Sequence, residues 1–375
     1  MRENRDFRYA LIDRLAREHT LCVEEYESLL AGYDRALGAY AARAAVSFAQ
    51  RSYGKNIYIR GLIEISNVCK NDCYYCGIRR SNTHVDRYKM TDAQILACCA
   101  EGYALGFRTF VMQGGENGSD TDARLVPLIR RIKAQFPDCA VTLSLGERSA
   151  ESYARLREAG ADRYLLRHET ANAAHYRLLH PTDMHHDHRL SCLHTLKRLG
   201  YQVGCGMMVG SPFQTLSHLA QDLKFVEEFA PDMCGVGPFL PQKDTPFGQY
   251  PAGSADMTCF LLSLIRLIRP GILLPATTAL NTLDPQGRQK GVLSGANVVM
   301  PNLSPAENRA KYKLYDGKVF SGAEAAQTLE QLKEEMEQIG YSVVSARGDV
   351  CKTDMTDIKK CNERIQKEGN ENGKV

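Results

Sequence analysis

The sequence has little net charge, no long apolar run and no framework of paired cysteines. Its 47 Lys and Arg against 44 Asp and Glu leave +3 over 375 residues, too little for the broad basic face that nucleic acid or an anionic membrane requires. No uninterrupted apolar stretch has transmembrane length, and the start, Met1-Arg-Glu-Asn-Arg-Asp6, lacks the apolar core of a secretory signal. The expectation is a cytoplasmic protein with no nucleic-acid or membrane partner. Of thirteen cysteines, Cys22, Cys139, Cys192, Cys205, Cys234, Cys259, Cys351 and Cys361 stand singly, and Cys98 and Cys99 are adjacent. A chain of this size needs no disulfides, so most of these read as small buried hydrophobes. A composition 44% hydrophobic and 24% charged supplies ample core, and the length suits one decorated α/β barrel.

The other three cysteines are grouped. Cys69-Lys-Asn-Asp-Cys73-Tyr-Tyr-Cys76 has C-x3-C-x2-C spacing and directly follows the apolar run 57–65. A compact loop leaving a strand can fold three thiolates round one soft metal centre, and three protein ligands leave a fourth position open for chemistry. The spacing resembles that of radical S-adenosylmethionine (SAM) enzymes, which hold a 4Fe–4S cluster by three cysteines and give its fourth iron to SAM. Tyr75 occupies the aromatic position usual in that motif. The other reading is a fragment of a zinc site, which would need a fourth ligand nearby, and His84 is the only near candidate. An open iron is vulnerable to oxygen, so a reducing compartment, in an anaerobe, is expected.

Along the chain, residues 1–50 read as a helical leader packed outside the main fold, with apolar faces at Leu11, Leu15, Leu21, Leu29 and Leu30. Short apolar runs then alternate with amphipathic segments. The runs are 57–65, 109–113, 140–145, 163–167, 202–209, 233–237, 272–276 and 296–300. None alternates cleanly with polar residues, as expected of a parallel sheet buried on both faces. Eight such units predict an α/β fold, a complete (β/α)8 TIM-type barrel, over residues 51–320. The helix after the cysteine loop is expected to start at Thr91, with Gln94 completing a capping box. A helical extension follows at 321–345. The polar stretch 346–375 reads as a poorly ordered tail, in which Cys351 and Cys361 lack ligand spacing.

In such a barrel chemistry gathers at the C-terminal strand ends. Here those ends carry the cysteine loop, Gln113-Gly-Gly-Glu116, Ser144, His168-Glu169, Met208-Val-Gly210, the Pro238 loop, Thr277-Thr278 and Pro301-Asn302. Gly114 and Gly115 allow close backbone approach to a ligand, and Glu116 adds an acceptor for a cationic group. The same segment could be a turn with a solvated glutamate. A buried Glu169 needs a partner, either ribose hydroxyls or a structural ion pair with Arg163 or Arg167. Arg60, inside the first run, would need a compensating charge if it faces the interior. With Thr142, Thr277 and Thr278 it outlines a pocket for an anion, which loses its centre if Arg60 points outward. The histidines at 175, 180, 185, 186 and 188 lack an i, i+4 carboxylate frame and read as surface.

With these residues assembled, the chain resembles the HydE family, the radical SAM maturases of iron–iron hydrogenase, over about residues 50–316. The resemblance rests on Ile63-Glu-Ile-Ser-Asn-Val-Cys69, Leu143-Ser-Leu-Gly-Glu147, the long segment Ala159–Asn172, Gly235-Val-Gly-Pro-Phe239, Pro275-Ala-Thr-Thr278 and Gly295–Asn302. It implies that Cys69, Cys73 and Cys76 hold the cluster. It implies cofactor contacts from Tyr75, Gly114, Gly115, Glu116, Ser144, Glu169, Arg189 and Met208, and substrate contacts from Arg60, Thr142, Arg163, Thr277 and Thr278. The implied substrate is a small cysteine-ligated iron carbonyl/cyanide precursor of the H-cluster, with an external reductant and the other hydrogenase maturation proteins as partners. Some members carry a second cluster after the last strand. The stretch beginning at Lys318 has no cysteine here, so a second cluster is not expected. A radical SAM enzyme with an organic substrate, of the methylornithine synthase or biotin synthase kind, and a non-catalytic metal scaffold are the competing readings.

Overall fold

A computed structural model describes residues 2–118, 120–318 and 325–351. Three helices come first: α1 (Arg2–Glu18), α2 (Val23–Ala31) and α3 (Arg35–Tyr53). They pack against the later helices α9 (Leu216–Phe229) and α10 (Ala255–Ile268). The His19 imidazole reaches the Leu267 carbonyl, and Thr20 and Tyr26 both donate to Glu227.

The main fold is a six-stranded parallel sheet in the order β2 (Gly61–Ser66), β3 (Thr109–Gly114), β4 (Ala140–Ser144), β5 (Arg163–Leu165), β6 (Gln202–Val209) and β7 (Met233–Pro238). A second, three-stranded sheet joins β1 (Asn56–Ile59) to β8 (Val298–Val299) and β9 (Ser342–Val344), all parallel. Helices α4 (Asp92–Ala104), α5 (Asp122–Gln135), α6 (Ala150–Glu158), α7 (Ala173–Leu179), α8 (His186–Arg198), α9 (Leu216–Phe229) and α10 (Ala255–Ile268) fill the crossovers. The shorter α11 (Thr278–Leu283), α12 (Gly287–Val292) and α13 (Ala306–Lys311) follow, and α14 (Ala325–Glu337) precedes β9. The capping box at Thr91 forms: its hydroxyl accepts from Gln94 N, and Gln94 returns a bond to Thr91 N.

Two runs differ from the expected strands. The run 57–65 is split at Arg60 into β1 and β2. The run 272–276 makes no strand: Leu273 bridges Met233, and Pro275 bridges Val298, one residue each. Pro275 has no N–H to continue a ladder. A further single bridge joins Leu62 to Asn302. The α/β fold with a parallel sheet is therefore present, while hydrogen-bonded ladders do not run continuously round a ring among the described residues.

The start of the polar tail is packed. Arg163, at the N-terminal end of β5, is 3% exposed and donates to Thr109, to Gln202, to the carbonyls of Arg347 and Gly348, and to Asp349 at 2.6 Å. Asp349 also accepts from Gln202 and Arg347. Residues 347–349 thus close the strand ends opposite the cysteine loop. Cys361 and the rest of the expected tail lie outside the described residues.

Burial opposes charge on Asp349, yet Arg347, Arg163 and Gln202 hold its carboxyl well below the usual range. A carboxyl with a lowered folded pKa stabilises above its unfolded value and loses that contribution as pH falls toward the folded one. Asp349→Asn should cost about 1–2 kcal/mol at neutral pH, reduced by the half-exposed position of the carboxylate. In thermal unfolding the gap between parent and variant should stay constant from about pH 8 to 5 and close below about pH 4.

Candidate active site

The cysteine loop leaves β2 at Ser66 and is held by side chains that the motif does not include. Asn67, fully buried, donates to the carbonyls of Asp86 and Lys311 and accepts from Tyr88 N. Arg87 donates to four backbone carbonyls, those of Asn67 and Ile78 through one nitrogen and of Arg79 and Asn82 through the other, at 2.6–3.0 Å. Asp72 accepts from Arg79 Nε and from both the backbone and hydroxyl of Ser81. Burial works against it, but Arg79 and Ser81 hold the Asp72 carboxyl well below the usual carboxylate range. These contacts fix both ends of the loop on one strand end, beside the three thiols.

Cys69, Cys73 and Cys76 are free thiols that open on one cavity of about 360 Å³ at the C-terminal strand ends, the size range of small-molecule sites. Burial pushes all three thiols up, Cys76 to about 12, its neighbour Cys69 adding to the effect. The donor set fits a three-cysteine iron–sulfur cluster. The backbone is shaped to match: a Cβ on Gly115 would stand 2.3 Å from the Val68 carbonyl oxygen and 2.8 Å from Cys69 Cβ.

Every residue expected to contact the cofactor lines this same cavity: Tyr75, Gly114, Gly115, Glu116, Ser144, Glu169, Arg189 and Met208. Glu116 has a structural task as well. Its Oε2 accepts from Asn71 and from Glu147 N, and its Oε1 meets Lys70 Nζ at 2.9 Å. This joins the cysteine loop to the turn after β4. That turn needs glycine: Gly146 has φ +77°, and a Cβ there would lie 2.1 Å from Glu116 Oε2.

Glu169 adopts φ +66°, rare for a residue with a side chain. Its N–H bonds to the Gly206 carbonyl, which fixes that conformation, and its Oε2 lies 3.3 Å from Arg167 Nη2 without hydrogen-bond alignment. The ion-pair partner is Arg167; Arg163 lies at the far end of the strand. Arg189 similarly sets its Nε 2.6 Å from Glu147 Oε1 without hydrogen-bond alignment. Both pairs thus keep polar capacity for a ligand.

Tyr75 is oriented by a histidine read from the sequence as surface. His180 is buried and its pKa is pushed down by burial to about 3, so the ring is neutral. Its Nδ1 lies 3.0 Å from the Tyr176 carbonyl, which only an N–H can satisfy. Its Nε2 therefore accepts from the Tyr75 hydroxyl at 3.1 Å. His175 is buried too, with Nε2 3.0 Å from the Pro212 carbonyl. The surface reading fails for both: His175 lies on the buried face of α7, and His180 is buried at the end of that helix.

The expected substrate residues divide. Thr277 and Thr278 line the cavity, and the Thr277 hydroxyl also caps α11. Arg60, Thr142 and Arg163 border a separate void of about 10 Å³ toward the opposite strand ends. Arg60 does point inward. It is fully buried, donates to Met233 Sδ at 2.7 Å and, among the described residues, has no carboxylate in hydrogen-bond contact. Burial, and then Arg163, push its pKa down. Met233 lines both spaces. Sequence reasoning missed Glu64, whose signal was an acid within the run Ile63-Glu-Ile65. It is 1% exposed, faces the cavity and pairs with Lys318 Nζ at 2.5 Å. It missed Arg167 as a cavity residue as well.

Gly115→Ala should displace the Cys69 backbone while leaving all three thiols in the chain. Anaerobic reconstitution should then retain about half or less of the parent's iron per chain, with far-ultraviolet circular dichroism unchanged.

Comparison with known proteins agrees with this arrangement. Residues 63–226 match the model of the radical SAM superfamily. The chain is 43% identical over 286 residues to the FeFe hydrogenase maturase subunit HydE of Thermotoga maritima, covering 76% of this chain and 81% of that one. It is 26% identical to a 3-methylornithine synthase of Methanosarcina acetivorans, over 69% of this chain and 74% of that protein. Among solved structures, a methylornithine synthase superposes with a TM-score of 0.77 at 23% identity, covering 89% of this chain and 97% of the other. The last likeness shows the fold. The chain is an enzyme of the radical SAM superfamily and belongs, within it, to the HydE family of hydrogenase maturases.

Proposed function

We propose that Cys69, Cys73 and Cys76 ligate a single 4Fe–4S cluster and that the enzyme acts on a cysteine-ligated iron carbonyl/cyanide precursor during assembly of the diiron part of the H-cluster. The bound cluster and SAM supply reductive cleavage of SAM to a 5′-deoxyadenosyl radical. The observation that carries the reading is the one cavity that unites the three thiols with Tyr75, Glu116, Glu169, Arg189, Thr277 and Thr278.

In this reading the chain binds, orients and excludes water. Tyr75, held by His180, forms a fixed wall for the adenosyl group. Glu169 offers ribose hydroxyls its Oε2, which is ion-paired with Arg167 but accepts no hydrogen bond, and a hydrogen bond to a charged acceptor contributes about 1.5–3 kcal/mol. Arg189 answers the SAM carboxylate, with Glu147 holding the guanidinium from behind. Glu64, Thr277 and Thr278 face the substrate side. Arg60, Thr142 and Arg163 form a deeper basic group beyond Met233 that favours an anionic precursor. A ring closed as a (β/α)8 barrel, a reading supported by the single bridges at Leu273, Pro275 and Asn302, keeps solvent from the radical. An external reductant and the other maturation proteins are the partners, in the cytoplasm.

The likeness in fold to methylornithine synthase sets the competing substrate class. Purified, reconstituted enzyme given SAM and dithionite should form 5′-deoxyadenosine faster when the iron precursor is added, with iron-containing product, and should show no such response to lysine. Conversion of lysine without a response to the precursor would replace this substrate assignment.

A further inference from the structure

Helix α8 carries metal-type donors that the three-cysteine site does not use. His188 and Cys192 are four residues apart and share one face of the helix. Glu147, from the turn after β4, meets that face. His188 Nε2 lies 3.4 Å from Glu147 Oε2 and 3.7 Å from Cys192 Sγ, and the three donor atoms all lie within 4.8 Å of one another. Tetrahedral zinc, with bonds of about 2.0–2.1 Å to nitrogen and oxygen and about 2.3 Å to sulfur, separates N from O by about 3.4 Å and N from S by about 3.6 Å. The two measured edges already have those lengths. A surface ion pair accounts for the first edge alone; the buried thiol, which also lies 3.9 Å from the Arg148 carbonyl, stands one helical turn from His188 and within 4.8 Å of the same carboxylate.

We propose that Glu147, His188 and Cys192 bind one divalent cation of the zinc type, at a mononuclear site separate from the cysteine loop. Carboxylate, imidazole and thiolate together suit zinc, and the two anionic ligands balance its charge. The thiol releases its proton to solvent as the ion binds. Cys192 is buried and His188 exposed, so the ion enters past the histidine and keeps a solvent molecule as its fourth ligand. Glu147 is shared: Oε2 faces the ion while Oε1 faces Arg189, which lines the SAM cavity. The site therefore grips from outside the same carboxylate that steadies Arg189.

Cluster-loaded protein equilibrated with micromolar zinc and desalted should keep about one zinc per chain, and Zn K-edge absorption should show one sulfur near 2.3 Å with nitrogen or oxygen near 2.0–2.1 Å. His188→Gln and Cys192→Ser should each lower bound zinc by at least about tenfold at equal free zinc, the scale reached even by outer-sphere partners. His188 is exposed, so its variant should keep the parent's cluster absorbance, which separates ligand loss from misfolding. A shell of three sulfurs, zinc retention unchanged in His188→Gln, or no bound zinc in the parent would each overturn the assignment.

Discussion

The guanidinium of Arg87 is the contact on which the site depends. Three thiols can share one centre only if the chain between residues 67 and 82 returns on itself. A loop of that kind leaves backbone carbonyls turned away from any sheet or helix. Arg87 gathers four of them from both limbs of the loop. Each bond to a charged donor is worth about 1.5–3 kcal/mol, and the set defines one loop shape. Asn67 and Asp72 secure the same segment from the strand end and from the outer limb. These three side chains place the cysteines.

The rest of the cavity follows from how the strand ends meet the loop. Glu116 ties Lys70 and Asn71 to the β4 turn, so the second and third strands of the main sheet are set against the cysteines. Glu169 is held in a left-handed backbone by the Gly206 carbonyl, which turns its carboxylate toward Arg167 and the cavity. At the opposite strand ends Arg163 and residues 347–349 make a plug. Two arginines, Arg60 and Arg163, are thereby kept inside the fold, Arg163 paired with Asp349 and Arg60 with no carboxylate partner among the described residues. The fold separates the cavity that holds the three thiols from a basic floor.

Much of this was legible in local sequence. The C-x3-C-x2-C spacing, the alternation of short apolar runs with amphipathic segments, the Thr91–Gln94 cap and the polar strand ends are each properties of a few adjacent residues. They sufficed to outline a cavity shared by the three thiols and the polar strand ends; Arg189, on α8 and at no strand end, was indicated only by the family resemblance. What escaped depends on partners far along the chain. Tyr75 meets His180 across 105 residues, and Arg163 meets Asp349 across 186. The burial of His175 on α7 and of His180 just past its end is set by packing, which a run of histidines in a polar segment does not reveal. Pro275 marked its own limit, since a residue without an N–H weakens the case for a strand; the apolar run around it concealed that. Glu64 was hidden for a similar reason, a lone acid within an otherwise apolar strand.

The central claim is that the loop at Cys69–Cys76 carries an open iron site that works on SAM. Its most direct test is anaerobic reconstitution of the parent and of Cys73→Ala, followed by SAM and dithionite. The account predicts about four irons per parent chain, a reducible cluster and formation of 5′-deoxyadenosine, with cleavage abolished in Cys73→Ala. A variant that still cleaved SAM at the parent's rate, or a parent that bound one zinc in the loop and no reducible cluster, would contradict it.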